Sequence, residues 1–131
     1  KARALAENDL DPARVHFVGR LDTGAYVRLL QRSDAHVYLT VPFVLSWSML
    51  EAMSTGCALV LSDTDPVREF GDRTNAALVD MGRPAAIADA VRETLRDPAG
   101  DRRRRARDLV RRRLSRAALS EQKARLFAGL R

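Results

Sequence analysis

Short, continuously apolar runs separated by stretches of helical periodicity leave this chain few ways to fold. The runs lie at 35–39 (AHVYL), 57–61 (CALVL) and 77–79 (ALV), after an earlier one at 15–18 (VHFV) that Gly19 closes. A strand with one wetted face alternates apolar and polar residues, whereas a strand covered on both faces reads as an unbroken apolar run. Strands alternating with helices predict a parallel sheet with helices on its faces, the α/β class.

The stretches between the runs supply the helices. Ala2, Leu5 and Ala6 mark a short apolar face that ends at the turn-forming residues 9–12. Tyr26, Leu29 and Leu30 mark the next, with Arg28, Gln31 and Arg32 outward. Residues 62–66 read as a loop and 67–70 as one helical turn. Ile87, Val91 and Leu95 share a face on a helix ended by Asp97 and Pro98, and two more helices are expected at 101–114 and 116–130. No internal repeat is present.

Residues 40–56 (TVPFVLSWSMLEAMSTG) open as a turn and become helical, with Met49, Ala52, Met53 and Gly56 on one face and Ser48, Glu51 and Thr55 on another. Ser46 is a natural N-cap, since its hydroxyl can accept a free backbone N–H. A helix that starts directly after a buried parallel strand is where α/β sheets bind anions and nucleotides. Its N–H groups and dipole favour phosphate. Glu51, one turn inside, is repelled by phosphate but suited to accept hydrogen bonds from a ribose diol.

At 131 residues the chain is one domain. Its 46% hydrophobic and 31% charged content is that of a soluble globular protein. No apolar run reaches membrane-spanning length and no signal peptide opens the sequence. The single Cys57 has no internal partner, which fits a reducing, cytoplasmic setting. The net charge of +6, carried by arginine, points to anionic partners. A start without Met, within a helical pattern, suggests a fragment, and the Ala- and Arg-heavy composition suggests a GC-rich bacterial source.

The order of these segments resembles the nucleotide-sugar-binding, C-terminal half of a GT-B glycosyltransferase of the retaining family 4, or group 1, type. Val15-His16-Phe17-Val18-Gly19-Arg20-Leu21 resembles the strand and loop whose backbone contacts the base. Residues 33–39 resemble the "ADVFVLPS" strand, 50–53 with Gly56 the second half of the motif with two glutamates, 56–62 "GxPVVAS", 66–69 "PVRE" and 75–79 "NGLLV". The family's first glutamate is replaced by Phe43, its glycines by Val44 and Ser46, and a later glycine by Ala76. The resemblance covers most of 15–95 and implies a Rossmann-like parallel sheet flanked by helices, a partial GT-B C-terminal domain. It lacks the family's first two strands, with their basic pair, and the N-terminal acceptor domain. In the family those first strands sit between the two that correspond to 15–18 and 35–39, so these two would not be neighbours.

What the resemblance implies for individual residues stands beside plainer readings. Glu51 becomes the ribose acceptor, against a surface carboxylate paired with an arginine. Ser46, Trp47 and Ser48 offer N–H groups to phosphate, against ordinary capping, and Trp47 reads as a packing residue. Phe43 and Val44 border the donor sugar or pack the loop. Gly19, Arg20 and Leu21 contact the base, against a strand-ending glycine and a solvated arginine. Glu69 approaches the donor, against a carboxylate near Arg68. His16 and His36 have no ligand-spaced partners, so neither a metal nor another cofactor is expected.

The arginines at 102–105, 107 and 111–113 read first as a solvated helix face and second as a contact for an anionic membrane surface at the inner face of the membrane. Nucleic acid is disfavoured because no aromatics interleave with them. Leu119, Leu126, Phe127 and Leu130 give the last helix an apolar face that would be exposed, or would drive self-association, without the acceptor domain. The expected function is sugar transfer from a nucleoside diphosphate to a hydroxyl acceptor, inactive in this segment alone. The alternatives are a non-catalytic interaction module and half of a GT-B sugar-nucleotide epimerase.

Overall fold

A computed structural model describes residues 8, 10–41, 44–97 and 100–129. Its elements run α1 (Thr23–Arg32), β1 (His36–Tyr38), α2 (Trp47–Thr55), β2 (Leu59–Ser62), α3 (Asp65–Arg68), β3 (Ala77–Val79), α4 (Pro84–Leu95), α5 (Asp101–Leu114) and α6 (Arg116–Ala128). The strands form one parallel sheet in the order β1-β2-β3, with Val37 opposite Val60 and Leu61 opposite Leu78. The helix expected over residues 2–6 lies outside the described residues.

Each apolar run at 35–39, 57–61 and 77–79 produced a strand. The second starts two residues later than its apolar run because the chain first has to leave α2. Gly56 ends that helix in the left-handed region, φ 82°, and its N–H returns to the Ala52 and Met53 carbonyls. Glycine adopts this conformation without the steric penalty other residues meet.

Alternation along β2 divides the core. Leu59 and Leu61 face a cluster with Leu30, Met49, Ala52, Met53, Ala106 and Val110, contributed by α1, α2 and α5. α4 packs on β2 and β3 from another direction. Residues of β2 are therefore wholly buried. β1 is not, since Val37 and Leu39 remain about 40% exposed. This corrects the expectation of strands covered on both faces throughout.

The run at 15–18 is a second correction. It forms no strand, and Phe17 and Val18 are about half exposed. Extended backbone is stable in a sheet only when its N–H and C=O groups are paired, and among the described residues no neighbouring strand pairs with this run.

Most of the arginine run stays exposed, as the solvated-face reading expects, and several of its side chains also reach neighbouring elements. α5 crosses the end of the sheet where the strands begin. Arg103 donates to the Asp34 carbonyl ahead of β1, and Arg105 to the Thr74 carbonyl ahead of β3, both at 3.4 Å. The Arg107 stem lies beside Gly56, ahead of β2. Arg113 donates to the Glu69 carbonyl at 3.1 Å and stacks 4.5 Å over the Phe70 ring. Arg102 pairs with Glu93, and Arg104 with Asp101. The outward side also carries Asp108 among its arginines. Beyond α5, α6 packs against it and leaves Leu126 and Phe127 about two-thirds exposed, as its apolar pattern predicted.

Candidate functional site

The opposite end of the sheet, where the strands finish, carries the start of α2. The chain leaves β1 at Thr40, whose N–H donates to Ser62 Oγ at 3.1 Å while Ser62 Oγ donates back to the Thr40 carbonyl at 3.1 Å. Ser62 is the last residue of β2 and completely buried. One hydroxyl thus continues the sheet ladder and fixes where the loop departs.

The loop re-enters at Ser46, the N-cap of α2, as its residue type predicted. Ser46 Oγ accepts from the Ser48 N–H at 3.2 Å and lies 2.9 Å from Ser48 Oγ. The Ser46 N–H itself donates to the Tyr38 hydroxyl at 3.3 Å. Of the three N–H groups expected to face phosphate, those of Ser46 and Ser48 are therefore taken up within the chain. Among the described residues no hydrogen bond takes the Trp47 N–H at the first helical position.

Glu51 is exposed on α2. Among the described residues no arginine forms an ion pair with it, contrary to the plainer reading. Burial raises the pKa of the Tyr26 phenol on α1, and the Glu51 charge raises it further. The Glu51 backbone carbonyl accepts from Ser54 Oγ and Thr55 Oγ1, which tightens the last turns of the helix.

Trp47 is 79% exposed, which corrects its reading as a packing residue. The α2 face that packs is the one carrying Met49, Ala52 and Met53, and the first helical position projects away from it. With Val41 and Val44, each 61% exposed, Trp47 makes the mouth of the site apolar. Phe43 lies outside the described residues.

The other expected residues are spread more widely. Gly19 takes a left-handed φ of 66° with open space around it, Arg20 is exposed and Leu21 half-buried. No hydrogen bond or ion pair among the described residues ties 19–21 to 44–51. Glu69 is exposed, and its nearest cation is Arg113 of α5, at 4.0 Å, rather than Arg68. Arg68 bonds Asp63 at 2.7 Å and Asp65 at 3.2 Å instead. That bond from Arg68, with the guanidinium charge, holds the Asp63 carboxyl below its ordinary value.

Sequence reading missed Tyr38 and Ser62. A hydroxyl at the last position of an otherwise apolar strand was the available signal for both.

A family model describing glycosyl transferases group 1 matches residues 1–97. The chain belongs to the group 1 glycosyl transferases. No curated protein sequence matches it. Among solved structures, sucrose-phosphate synthase from Thermosynechococcus elongatus superposes with a TM-score of 0.81 at 22% identity, over 98% of this chain and 33% of that one. At that identity the likeness concerns the fold, a fragment of the GT-B architecture. This group 1 chain spans about a third of the length of that structure. Among its described residues, no helix is long and apolar enough to cross a membrane.

Proposed function

We propose that this chain is the donor-binding half of a retaining glycosyltransferase that moves a sugar from a nucleoside diphosphate to a hydroxyl acceptor. The observation that carries this reading is the placement of Glu51. It is an exposed carboxylate one turn inside a helix whose capped start follows the end of a parallel strand, within a chain of the glycosyl transferase family.

In this reading the chain binds and orients. The Trp47 N–H and the positive end of α2 favour the diphosphate as it takes up charge on leaving. Glu51 accepts from the ribose hydroxyls and so fixes how far the diphosphate lies from the acceptor. Gly19, Arg20 and Leu21 border the base, while Phe43, Val44 and the exposed Trp47 border the sugar. The site for the hydroxyl acceptor belongs to an N-terminal domain, and the remaining phosphate contacts to the basic pair on the family's first two strands. The lone, buried Cys57 supports a cytoplasmic setting. A membrane contact through 102–113 draws less support, because several of those arginines are engaged within the domain.

The test is calorimetric titration of the full-length protein with UDP, GDP and ADP at moderate salt. One nucleotide should bind preferentially, and Glu51→Ala should weaken it about ten- to a hundredfold, the effect of losing a hydrogen bond to a charged group. Unchanged binding in Glu51→Ala would overturn the ribose assignment. Binding of none of the three would favour a non-catalytic module, and product analysis separates transfer from epimerisation.

A further inference from the structure

We propose that Tyr38 is a positioning residue for the diphosphate, its hydroxyl holding the start of α2 against the end of β1. The inference rests on the donor-site reading above and adds a residue to it.

The geometry starts with how firmly Tyr38 is held. It is the last residue of β1 and pairs with Leu61 of β2, a strand buried throughout. Its ring is half-buried against the cluster that contains Met49, Ala52 and Met53. From that anchored ring the hydroxyl accepts the Ser46 N–H at 3.3 Å, across a separation of eight residues. The Ser62 hydroxyl holds both polar groups of Thr40, two residues beyond Tyr38. The loop is thus tied to the sheet by Ser62 where it departs and by Tyr38 where it returns.

The first N–H groups of a helix have no partners within it. Left free, the Ser46 N–H would be a second donor beside that of Trp47, and a phosphate could settle in more than one place. The phenol takes up the Ser46 N–H, and the Ser46 side chain takes up that of Ser48 at 3.2 Å. The Trp47 N–H, between them, keeps no partner among the described residues, and the helix dipole favours an anion there. A helix start already fixed to the sheet need not be ordered when the ligand binds, which removes a cost of association. Tyr38 itself need not touch the ligand.

The test uses the full-length protein and Tyr38→Phe, which keeps the ring and removes only the hydroxyl. The probes are whichever of UDP, GDP and ADP binds best, and the phosphate-free nucleoside of the same base, read by competition. Tyr38→Phe should weaken the diphosphate about two- to tenfold, the worth of one ordinary hydrogen bond. The nucleoside should bind as before, which also reports that the site is intact. Equal weakening of nucleoside and diphosphate would make Tyr38 a packing residue and overturn the proposal. So would an unchanged or tighter diphosphate, and if Glu51→Ala still weakens it the donor-site reading stands. If none of the three nucleotides binds the parent protein, that reading fails and the proposal falls with it.

Discussion

Ser62 grips Thr40 from both sides, accepting from its N–H and donating to its carbonyl at 3.1 Å each. A side-chain hydroxyl here does the work of a backbone pair at the point where β1 gives way to the loop.

Replacing Ser62 with alanine should therefore cost more than a surface serine would. Two polar groups of Thr40 lose their partner next to a fully buried position. Leaving buried groups unsatisfied costs about 1–3 kcal/mol. Thermal or urea denaturation of Ser62→Ala should show a loss in that range, and a loss near zero would mean that water replaces the hydroxyl.

Cys57 joins α1 to the corner of α2 and β2. Cys57→Ala removes the thiol donor to Leu30 and leaves a small void at a site 2% exposed. The expected cost is about 1–2 kcal/mol. In the native protein the thiol should react with a soluble thiol reagent only as fast as the domain opens, so the reaction rate should rise along the same denaturation curve.

His36 makes stability depend on pH. Burial lowers its imidazole below the ordinary 6.5. As pH falls through that value the unfolded chain takes up the proton first, so the contribution is whole above 6.5 and is lost as pH drops through the folded value. Melting temperature should decline from pH 7 to pH 5, and His36→Gln should flatten that decline. Equal slopes in the two proteins would show that His36 is not the group responsible.

Trp47 is the only tryptophan of this chain and is 79% exposed at the start of α2. A nucleoside diphosphate seated there should change its emission, with quenching that saturates at the dissociation constant measured by calorimetry. Saturable binding with no spectral change would place the ligand away from α2.

The strands at 36–38, 59–62 and 77–79 were legible because burial on a parallel sheet leaves a continuous apolar run. The start of α2 was legible because a serine cap has a local chemical cause. The lack of a strand at 15–18 was not, since that run is apolar enough for a strand and pairing with a neighbour leaves no mark in the run itself. Tyr26 reads from sequence as part of an apolar face, and it packs against the core cluster. The contacts of the arginine run were not legible. Arg103, Arg105 and Arg113 donate to backbone carbonyls, and a carbonyl leaves no mark in a sequence.

The contacts of Arg103 and Arg105 lie where β1 and β3 begin, while residues 40–48 lie where the strands end. The chain's excess charge therefore serves as a fastening at one end only. Exposed residues at the other end, such as Val41, Val44 and Trp47, can be exchanged without undoing it, so that surface is free to vary while the folding stays intact.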